Sequence, residues 1–494
     1  MPLEPLIKHE AASIEDTTHI KGWLVDLGWW PTVYKERDLT VDSKKKKLTK
    51  EKYKDAVERY MAQTMESPFK RDRMFHLTLG MKCRDEQVLS KLLSHDLERP
   101  MKVYTNPTFT VGQDKELCPK LEEMSEIFPH VYKVVEFLTY RHRRNSILGG
   151  GVGIDEDDIE MEKGYLANIR ADGRIPTPAD TCGCNTSRFK HRIVTNIPRT
   201  TSMYGKNMRA MFGVERKKYA QFGYDFSSLE GRMESHYCWK YDETKEYCNS
   251  LVLEKPFDVH TLTAKKISEI LCKEFKRTPA KNVKYCCTYG GRPMRVAKTI
   301  GSDFETGKQV YDAFWLAADP LRQLGESLKK YWETMGSKKF VLGIDGRKVP
   351  TRSASALVNS LLQSAGVICA KWTMVLHDRK LAAKGLTVDF FRDDWKNKTY
   401  INQLVAMHDE AQMEVSKGLI EWKIFKNEDE AISFKKSSTD NWSEVGHISD
   451  KWFVGKSVIS DLLLEAVDDT TAKLKLNIPL GVEFIYGDSW ATCH

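Results

Sequence analysis

Leu404-Val405-Ala406-Met407-His408-Asp409-Glu410-Ala411-Gln412-Met413-Glu414-Val415 is the stretch that decides the fold class. Four apolar residues lead into a polar tripeptide, after which apolar Ala411, Met413 and Val415 alternate with polar Gln412 and Glu414. A period of two marks a half-buried strand, so the stretch reads as a β-hairpin with Asp409 and Glu410 at its tip. Adjacent acids at a turn are usually only solvated. These stand at the edge of a core, where a carboxylate is costly to keep. Asp225 belongs beside them: it follows strand-like Tyr219-Ala220-Gln221-Phe222-Gly223-Tyr224 and opens a helical stretch. Carboxylates brought together from distant strands can hold hard divalent cations. Such ions clamp the attacking and leaving oxygens of a phosphoryl transfer.

Composition sets the bounds. The chain has 494 residues, 41% hydrophobic and 30% charged, which describes a globular protein with room for several compact units. Lys and Arg outnumber Asp and Glu by 77 to 69, a net charge of +8 that permits a polyanionic partner without demanding one. The basic residues cluster at Lys44-Lys45-Lys46-Lys47 and at Arg141-His142-Arg143-Arg144. Eleven cysteines lack the paired C-x-x-C spacing of a zinc site and read as reduced thiols. Met1-Pro2-Leu3-Glu4-Pro5 shows no secretory pattern, and no apolar run is long enough to span a bilayer. The expectation is a cytoplasmic protein with no membrane partner.

Along the chain, residues 13–32 read as a capped helix, 36–56 as a Lys-rich solvated loop or short helix, and 51–66 and 85–97 as amphipathic helices. A longer helical stretch over 119–147 is interrupted near Pro129. Gly149-Gly150-Gly151-Val152-Gly153 lacks the Lys-Ser/Thr of a P-loop and reads as a linker. Asp158-Ile159-Glu160 has the D-x-E form of metal-dependent exonucleases but reads as a solvated acidic loop. From about residue 164 onward strand and helix signals alternate, as in an α+β enzyme.

Three constellations carry the chemistry. Asp225-Phe226-Ser227-Ser228-Leu229-Glu230 on its own is compatible with an ordinary acidic helix start. In Arg277-Thr278-Pro279-Ala280-Lys281-Asn282-Val283-Lys284-Tyr285-Cys286-Cys287-Thr288-Tyr289-Gly290, Thr278 suits an N-cap and Pro279 a first helical residue. Lys281, Tyr285 and Tyr289, spaced by four, then share one helix face, suited to a triphosphate and a base, or else to an ordinary tyrosine stripe. The third is His408-Asp409-Glu410. Asp345-Gly346, between Phe340-Val341-Leu342-Gly343-Ile344 and Arg347-Lys348-Val349-Pro350, reads as a type I′ hairpin with Arg347 and Lys348 available to phosphates.

In order, these three motifs resemble motifs A, B and C of family A DNA polymerases, the bacterial DNA polymerase I class. The likeness is closer to the replicative polymerases of short-tailed phages. Asp345-Gly346-Arg347-Lys348-Val349, Asn359-Ser360-Leu361-Leu362-Gln363-Ser364-Ala365-Gly366 and Gly487-Asp488-Ser489-Trp490-Ala491-Thr492-Cys493-His494 look like that group too. The resemblance covers residues 160–494 and, more patchily, 13–35 and 120–147; residues 37–105 have no counterpart. It implies an α+β right-hand fold with an antiparallel palm sheet, helical fingers and a reduced helical thumb. The divisions would be a thumb-derived region with an insertion over 1–163, palm over 164–245, fingers over 246–350 and palm again over 351–494.

The resemblance also implies roles. Asp225 and Asp409 would ligate two Mg²⁺ ions, with Glu410 supporting them. Lys281 would meet the triphosphate and protonate pyrophosphate, and His260 and Arg277 would bind phosphates. Glu230 would occupy the space of a ribose 2′-hydroxyl. Tyr285 would pack on the incoming sugar and base, and Tyr289 and Gly290 would shape the template side. Arg188, Asn359 and Gln363 would follow the duplex minor groove, and His408 would approach the primer terminus. The partners would be primer–template DNA and dNTPs. Pro279 between Arg277 and Lys281 suggests a helix beginning after Arg277, and Ser187 stands where the family usually has Gly. The family's 3′–5′ exonuclease domain and first thumb helices have no counterpart before residue 13, which suggests a separate exonuclease or thumb chain, or a processivity factor. Competing readings are a single-subunit RNA polymerase and a non-catalytic nucleic-acid-binding subunit of a replication complex; Glu230 and the intact acids argue against them.

Overall fold

The computed structural model describes residues 17–29, 34–42, 46–65, 85–111, 116–149, 152–154, 160–162, 164–195, 197–336, 339–387, 400–448 and 450–493. The chain forms two units, Met1–Ala167 with Thr201–Gly205, and Asn168–Thr200 with Lys206–His494.

In the first unit, α1 (Thr17–Asp26) buries Ile20 and Leu24, four residues apart on one face. It ends where Gly28 turns at φ +97°, which drops Trp29 into the core. The 36–56 segment, read as a solvated loop or short helix, opens on an unexpected strand and closes in a helix. Strand β1 (Tyr34–Asp38) pairs antiparallel with β2 (Lys102–Pro107), and helices α2 (Lys50–Met65) and α3 (Asp85–Leu93) complete the module. Tyr53, Val57 and Tyr60 of α2 join Leu39, Val88, Leu92 and Val103 in its core. Lys50, Lys52 and Lys54 lie on the solvent side of α2, as expected of the amphipathic helix read over 51–66. Lys44 and Lys45 fall outside the described residues, and Lys47 pairs with Glu98 at 2.5 Å. Prolines at the first turn start α4 (Pro119–Ile127) and α5 (Pro129–Leu148), where no N–H is needed. Gly149 closes α5 at φ +81°; residues 155–159, Asp158 among them, lie outside the described residues.

The second unit is built on a four-stranded antiparallel sheet. Its strands are β3 (Tyr219–Phe226), β4 (Ile401–Met407), β5 (Glu410–Ser416) and β6 (Val482–Gly487), in the order β4-β5-β3-β6. Alternation sends Phe222, Tyr224, Phe226, Ala411, Met413, Val415, Phe484 and Tyr486 to one face. There they pack on Leu229 and Met233 of α6 (Leu229–Cys238), on Leu362, Ala365 and Cys369 of the 27-residue helix Leu357–Ala383, and on Leu463 and Val467 of Val458–Lys473. The opposite face carries Gln221, Asp225, Glu410, Gln412 and Glu414. Glu414 is satisfied there by Arg174 at 2.8 Å and by the Tyr400 hydroxyl at 2.7 Å. Asp225 lies inside β3 rather than at the start of a helix; α6 begins at Leu229, after Ser228 turns at φ +50°.

Between β3 and β4 come helices, among them α7 (Val259–Leu271) and α8 (Arg277–Thr288), around a second core that includes Ile267, Val283, Val296 and Phe314. Helix α8 starts at Arg277 with Lys276 as its N-cap, so Thr278 is not the cap and Pro279 is the third helical residue. The first four N–H groups of a helix have no internal acceptor, which is why the proline fits there. The Leu357–Ala383 helix is α9 and the Val458–Lys473 helix α10 below. The Asp345-Gly346 hairpin is not type I′: only Gly346 has positive φ, at +81°, and the turn runs Gly343 to Gly346. Arg347 folds back onto Asp345 at 2.7 Å and onto the Ser187 hydroxyl at 2.8 Å, so its guanidinium is already engaged. Among the described residues no helix is long and apolar enough to cross a membrane.

Candidate active site

The hairpin acids and Asp225 meet through strand register. Glu410, first residue of β5, lies opposite Asp225, and the Phe226 N–H donates to the Asp409 carbonyl at 3.3 Å. His408 and Asp409 make a two-residue turn, with exposed His408 at φ +59°. Asp225 is the exposed residue of an otherwise buried strand, and Asp409 is half-buried.

Glu410 is held from three sides. The Trp490 indole N–H donates to it, Gln412 Nε2 donates at 2.8 Å, and Arg209 Nη1 lies 3.6 Å away. Arg209 is 5% exposed, its guanidinium stands 5.1 Å from the Trp490 ring centre, and its Nε donates to the Pro198 carbonyl at 3.0 Å. Burial lowers the pKa of Arg209, and the charges of Glu410 and Asp225 oppose that shift. A fixed cation is thus set among the acids. Reading motif by motif missed Arg209 and Gln412, and took Trp490 only as part of a chain-end likeness. The available signal was the alternation, which puts Gln412 on the face of Glu410.

Asp225 on β3 and Asp409 in the adjoining hairpin turn offer hard oxygen donors, the chemistry that suits Mg²⁺. Among the described residues no group of three or more His, Cys, Asp and Glu side chains forms a complete metal cage. Mg²⁺ is commonly bound by one or two carboxylates, with substrate phosphates and water completing its shell.

Helix α8 presents Lys281, Tyr285 and Tyr289 on an exposed face, as the spacing of four requires. The two tyrosine rings stack at 6.4 Å and 15°, and His260 of α7 lies 5.9 Å from Tyr285. The Tyr289 hydroxyl lies 3.2 and 3.3 Å from the two carboxylate oxygens of Glu230, which ties α8 to α6. Burial raises the pKa of Glu230, against the hydrogen bond from Tyr289. His260 is pushed down to about 4 by burial and by the charge of Lys284, so it is neutral at pH 7, and its Nδ1 is buried without a hydrogen-bond partner among the described residues. Arg277 is spoken for: its Nε and Nη2 grip Asp258 at 3.1 and 2.5 Å. Partial burial pushes the Asp258 pKa up, but the hydrogen bonds from Arg277 and Thr261 prevail and hold it at about 2.

Arg188, Glu230, Gln363, His408 and Asp409 line one cavity of about 70 Å³. Asn359 lies one turn before Gln363 on α9 but does not line that cavity; its Oδ1 is buried without a partner among the described residues. Gly290, at φ +79°, approaches Ser355 so closely that a Cβ would stand 2.7 Å from the Ser355 carbonyl oxygen. Ser187 has φ +62°, the left-handed region glycine enters freely. Here Arg347 bonds its hydroxyl and Lys371 its carbonyl at 2.7 Å, which holds a serine in that conformation.

The sequence model of DNA polymerase family A matches residues 157–428. The DNA-directed DNA polymerase of Escherichia phage T7 is 29% identical over 247 residues, covering 46% of this chain and 34% of that one. That of Enterobacteria phage T3 is 28% identical, over 53% of this chain and 38% of its own, and that of Escherichia phage Phieco32 is 24% identical, over 52% and 51%. The chain spans about a third to a half of the length of these curated relatives. Among solved structures, the POL domain of Pol1 from M. smegmatis, in complex with DNA primer-template and dNTP, aligns with a TM-score of 0.54 at 16% identity. It covers 90% of this chain and 66% of that one, a likeness of fold.

Proposed function

The chain belongs to DNA polymerase family A, and on that footing we propose that it extends a primer 3′ end by template-directed transfer of deoxynucleotidyl groups. The observation that carries this reading is the register of β3 and β5. It sets Asp225, Asp409 and Glu410 at one end of a sheet whose buried face is packed by α6, and α6 is tied to the cationic and aromatic face of α8. We assign the sheet and its packing helices to a palm, the helices from 246 to 350 to fingers, and residues 1–163 to a thumb-derived region with an insertion. The alternation of the sheet between residues 219–226 and 401–487 supports that division.

Asp225 and Asp409 would hold two Mg²⁺ ions, which when bound activate the 3′-hydroxyl and stabilise the leaving pyrophosphate. Lys281 meets the triphosphate and carries the proton for pyrophosphate. His260, neutral at pH 7, contributes a hydrogen-bonding nitrogen rather than a charge. Arg277 acts through Asp258, bracing the start of α8 against α7. Glu230 excludes the ribose 2′-hydroxyl, Tyr285 packs on the incoming nucleotide, and Tyr289 with Gly290 bounds the template side. Arg188, Gln363 and Asn359 present hydrogen-bonding groups to the minor groove, whose acceptor positions are alike for all correct pairs, and His408 faces the primer terminus. Glu410, steadied by Arg209 and Trp490, keeps the hairpin tip in place.

The test is primer extension by the purified chain with Mg²⁺ and dNTPs. Extension by wild type, lost in both Asp225→Asn and Asp409→Asn, supports the reading. A chain that binds primer–template but never extends it would make it a non-catalytic binding protein instead.

A further inference from the structure

Glu234 and Lys284 form a buried ion pair that the chemistry above leaves unused. Lys284 Nζ donates to Glu234 Oε2 at 2.6 Å, and the Tyr247 hydroxyl donates to Glu234 Oε1 at 2.5 Å. The two charged side chains are 7% and 3% exposed, and Tyr247 is 3% exposed. Each partner comes from a different helix: Glu234 from α6, Lys284 from α8 and Tyr247 from the short helix Glu246–Ser250.

A buried pair of this kind is poor value as a stabiliser. Desolvation consumes most of the Coulombic gain, and apolar side chains of similar volume would pack as well or better. What it adds is direction. Two apolar helix faces can slide past one another by a fraction of a turn, whereas charge-assisted hydrogen bonds of fixed length admit one register. The register at stake is functional. Lys284 is the neighbour of Tyr285 and lies three residues after Lys281, while Glu234 lies one helical turn after Glu230. A second tie, from Tyr289 at the C-cap of α8 to Glu230, is longer, at 3.2–3.3 Å, and lies at the exposed end of the contact.

We propose that Glu234, Lys284 and Tyr247 are positioning residues that set the register of α8 against α6, and through it the affinity for the incoming dNTP and the rejection of ribonucleotides. The proposal rests on the nucleotide-site reading above. The apolar contacts of the second core hold the helices together; the ion pair decides which turn of α8 faces Glu230. Glu230 and Lys281 are then held in fixed relation whether or not a nucleotide is bound.

The experiment compares wild type, the double variant Glu234→Leu/Lys284→Leu and the single variant Tyr247→Phe. Each is measured for thermal midpoint, primer–template Kd, dNTP KM, kcat and the ratio of dNTP to NTP incorporation. The double variant should melt within a few degrees of wild type, because neither charge is left unpaired. Its dNTP KM should rise about tenfold and its ribonucleotide rejection fall about tenfold, with primer–template Kd unchanged, the size expected when a directional tie is removed. Tyr247→Phe, which removes one hydrogen bond and no charge, should move the same two quantities in the same direction by about two- to fivefold. A double variant with wild-type melting, KM and rejection would make the pair purely structural and overturn the proposal. Should the double variant fail to fold, an unchanged KM and rejection in Tyr247→Phe overturns it alone. Wild type that incorporates no nucleotide defeats the nucleotide-site reading itself, an outcome distinct from either.

Discussion

Asp225 is the one exposed residue in a strand of buried ones, and that contrast makes the cleanest substitution available at the residue scale. Asp225→Asn keeps the shape of the strand and removes a charged oxygen donor. If Asp225 holds Mg²⁺ as proposed, extension should fall by at least about a thousandfold while primer–template affinity changes by less than about threefold, because the substitution would remove a metal ligand and no phosphate contact. Single-turnover extension and DNA-binding anisotropy measure the two; a slow but DNA-starved variant would point to a binding role instead. Glu230→Ala deprives the Tyr289 hydroxyl of its carboxylate and, on the proposed sugar-pocket role, would free the space beside the sugar. Ribonucleotide incorporation should rise relative to deoxynucleotide, and competition between dNTP and NTP on one template reads it directly; an unchanged ratio removes Glu230 from the sugar pocket. The acids were legible as residues, because alternation around His408-Asp409-Glu410 needs only local sequence. The braces on Glu410 were not. Arg209 and Trp490 are separated from it by 201 and 80 residues, and only the fold brings a buried guanidinium, an indole and a carboxylate together.

At the scale of elements, the contact of α9 with α10 carries a pH dependence. His377 of α9 is 2% exposed, its Nε2 lies 3.2 Å from the Ile459 carbonyl, and burial pushes its pKa down to about 4. In the unfolded chain the same imidazole titrates near the ordinary histidine value of about 6.5. Below that value the unfolded state binds a proton that the folded state refuses, so stability falls as pH drops from about 6.5 toward 4. The linkage removes about 2 kcal/mol at pH 5 from this residue. Urea unfolding at pH 7.5 and pH 5 should show the loss in wild type and a smaller one in His377→Gln; equal losses would mean the imidazole is already charged in the fold. Asp258 acts in a different window: its pKa of about 2 contributes stability that is lost only as pH falls below about 4. Most elements were legible from sequence, including the helical stretch over 119–147 with its break at Pro129 and the motif hairpin. The start of α8 was missed by two residues, because Pro279 satisfies several first-turn positions equally. β1 was missed because its partner β2 lies some seventy residues away.

At the scale of the whole molecule, the segment after β6 folds back over the polar face of the sheet. A Cβ on Gly223 would stand 2.3 Å from the Cys493 carbonyl oxygen and 2.7 Å from Gln412 Nε2, and the Trp490 N–H donates to the Phe212 carbonyl at 2.8 Å. Gly223→Ala should therefore destabilise by about 1–3 kcal/mol, the ordinary cost of forcing extra volume into packed structure. It should also slow extension, because Trp490 is displaced from Glu410. Unfolding midpoints and extension rates measure both, and wild-type values in both would show that the segment does not rest on β3. The alternation that sorts apolar from acidic residues on β3 and β5, the spacing of four that aligns Lys281, Tyr285 and Tyr289, and the break at Pro129 were determined by sequence alone. Each of those depends on backbone geometry within a few residues. The register that sets Glu410 opposite Asp225, the grip of Asp258 on Arg277 and the burial of Glu234 with Lys284 were decided only by tertiary structure. A local pattern specifies which face a residue occupies, but only the packing of distant segments specifies what it meets there.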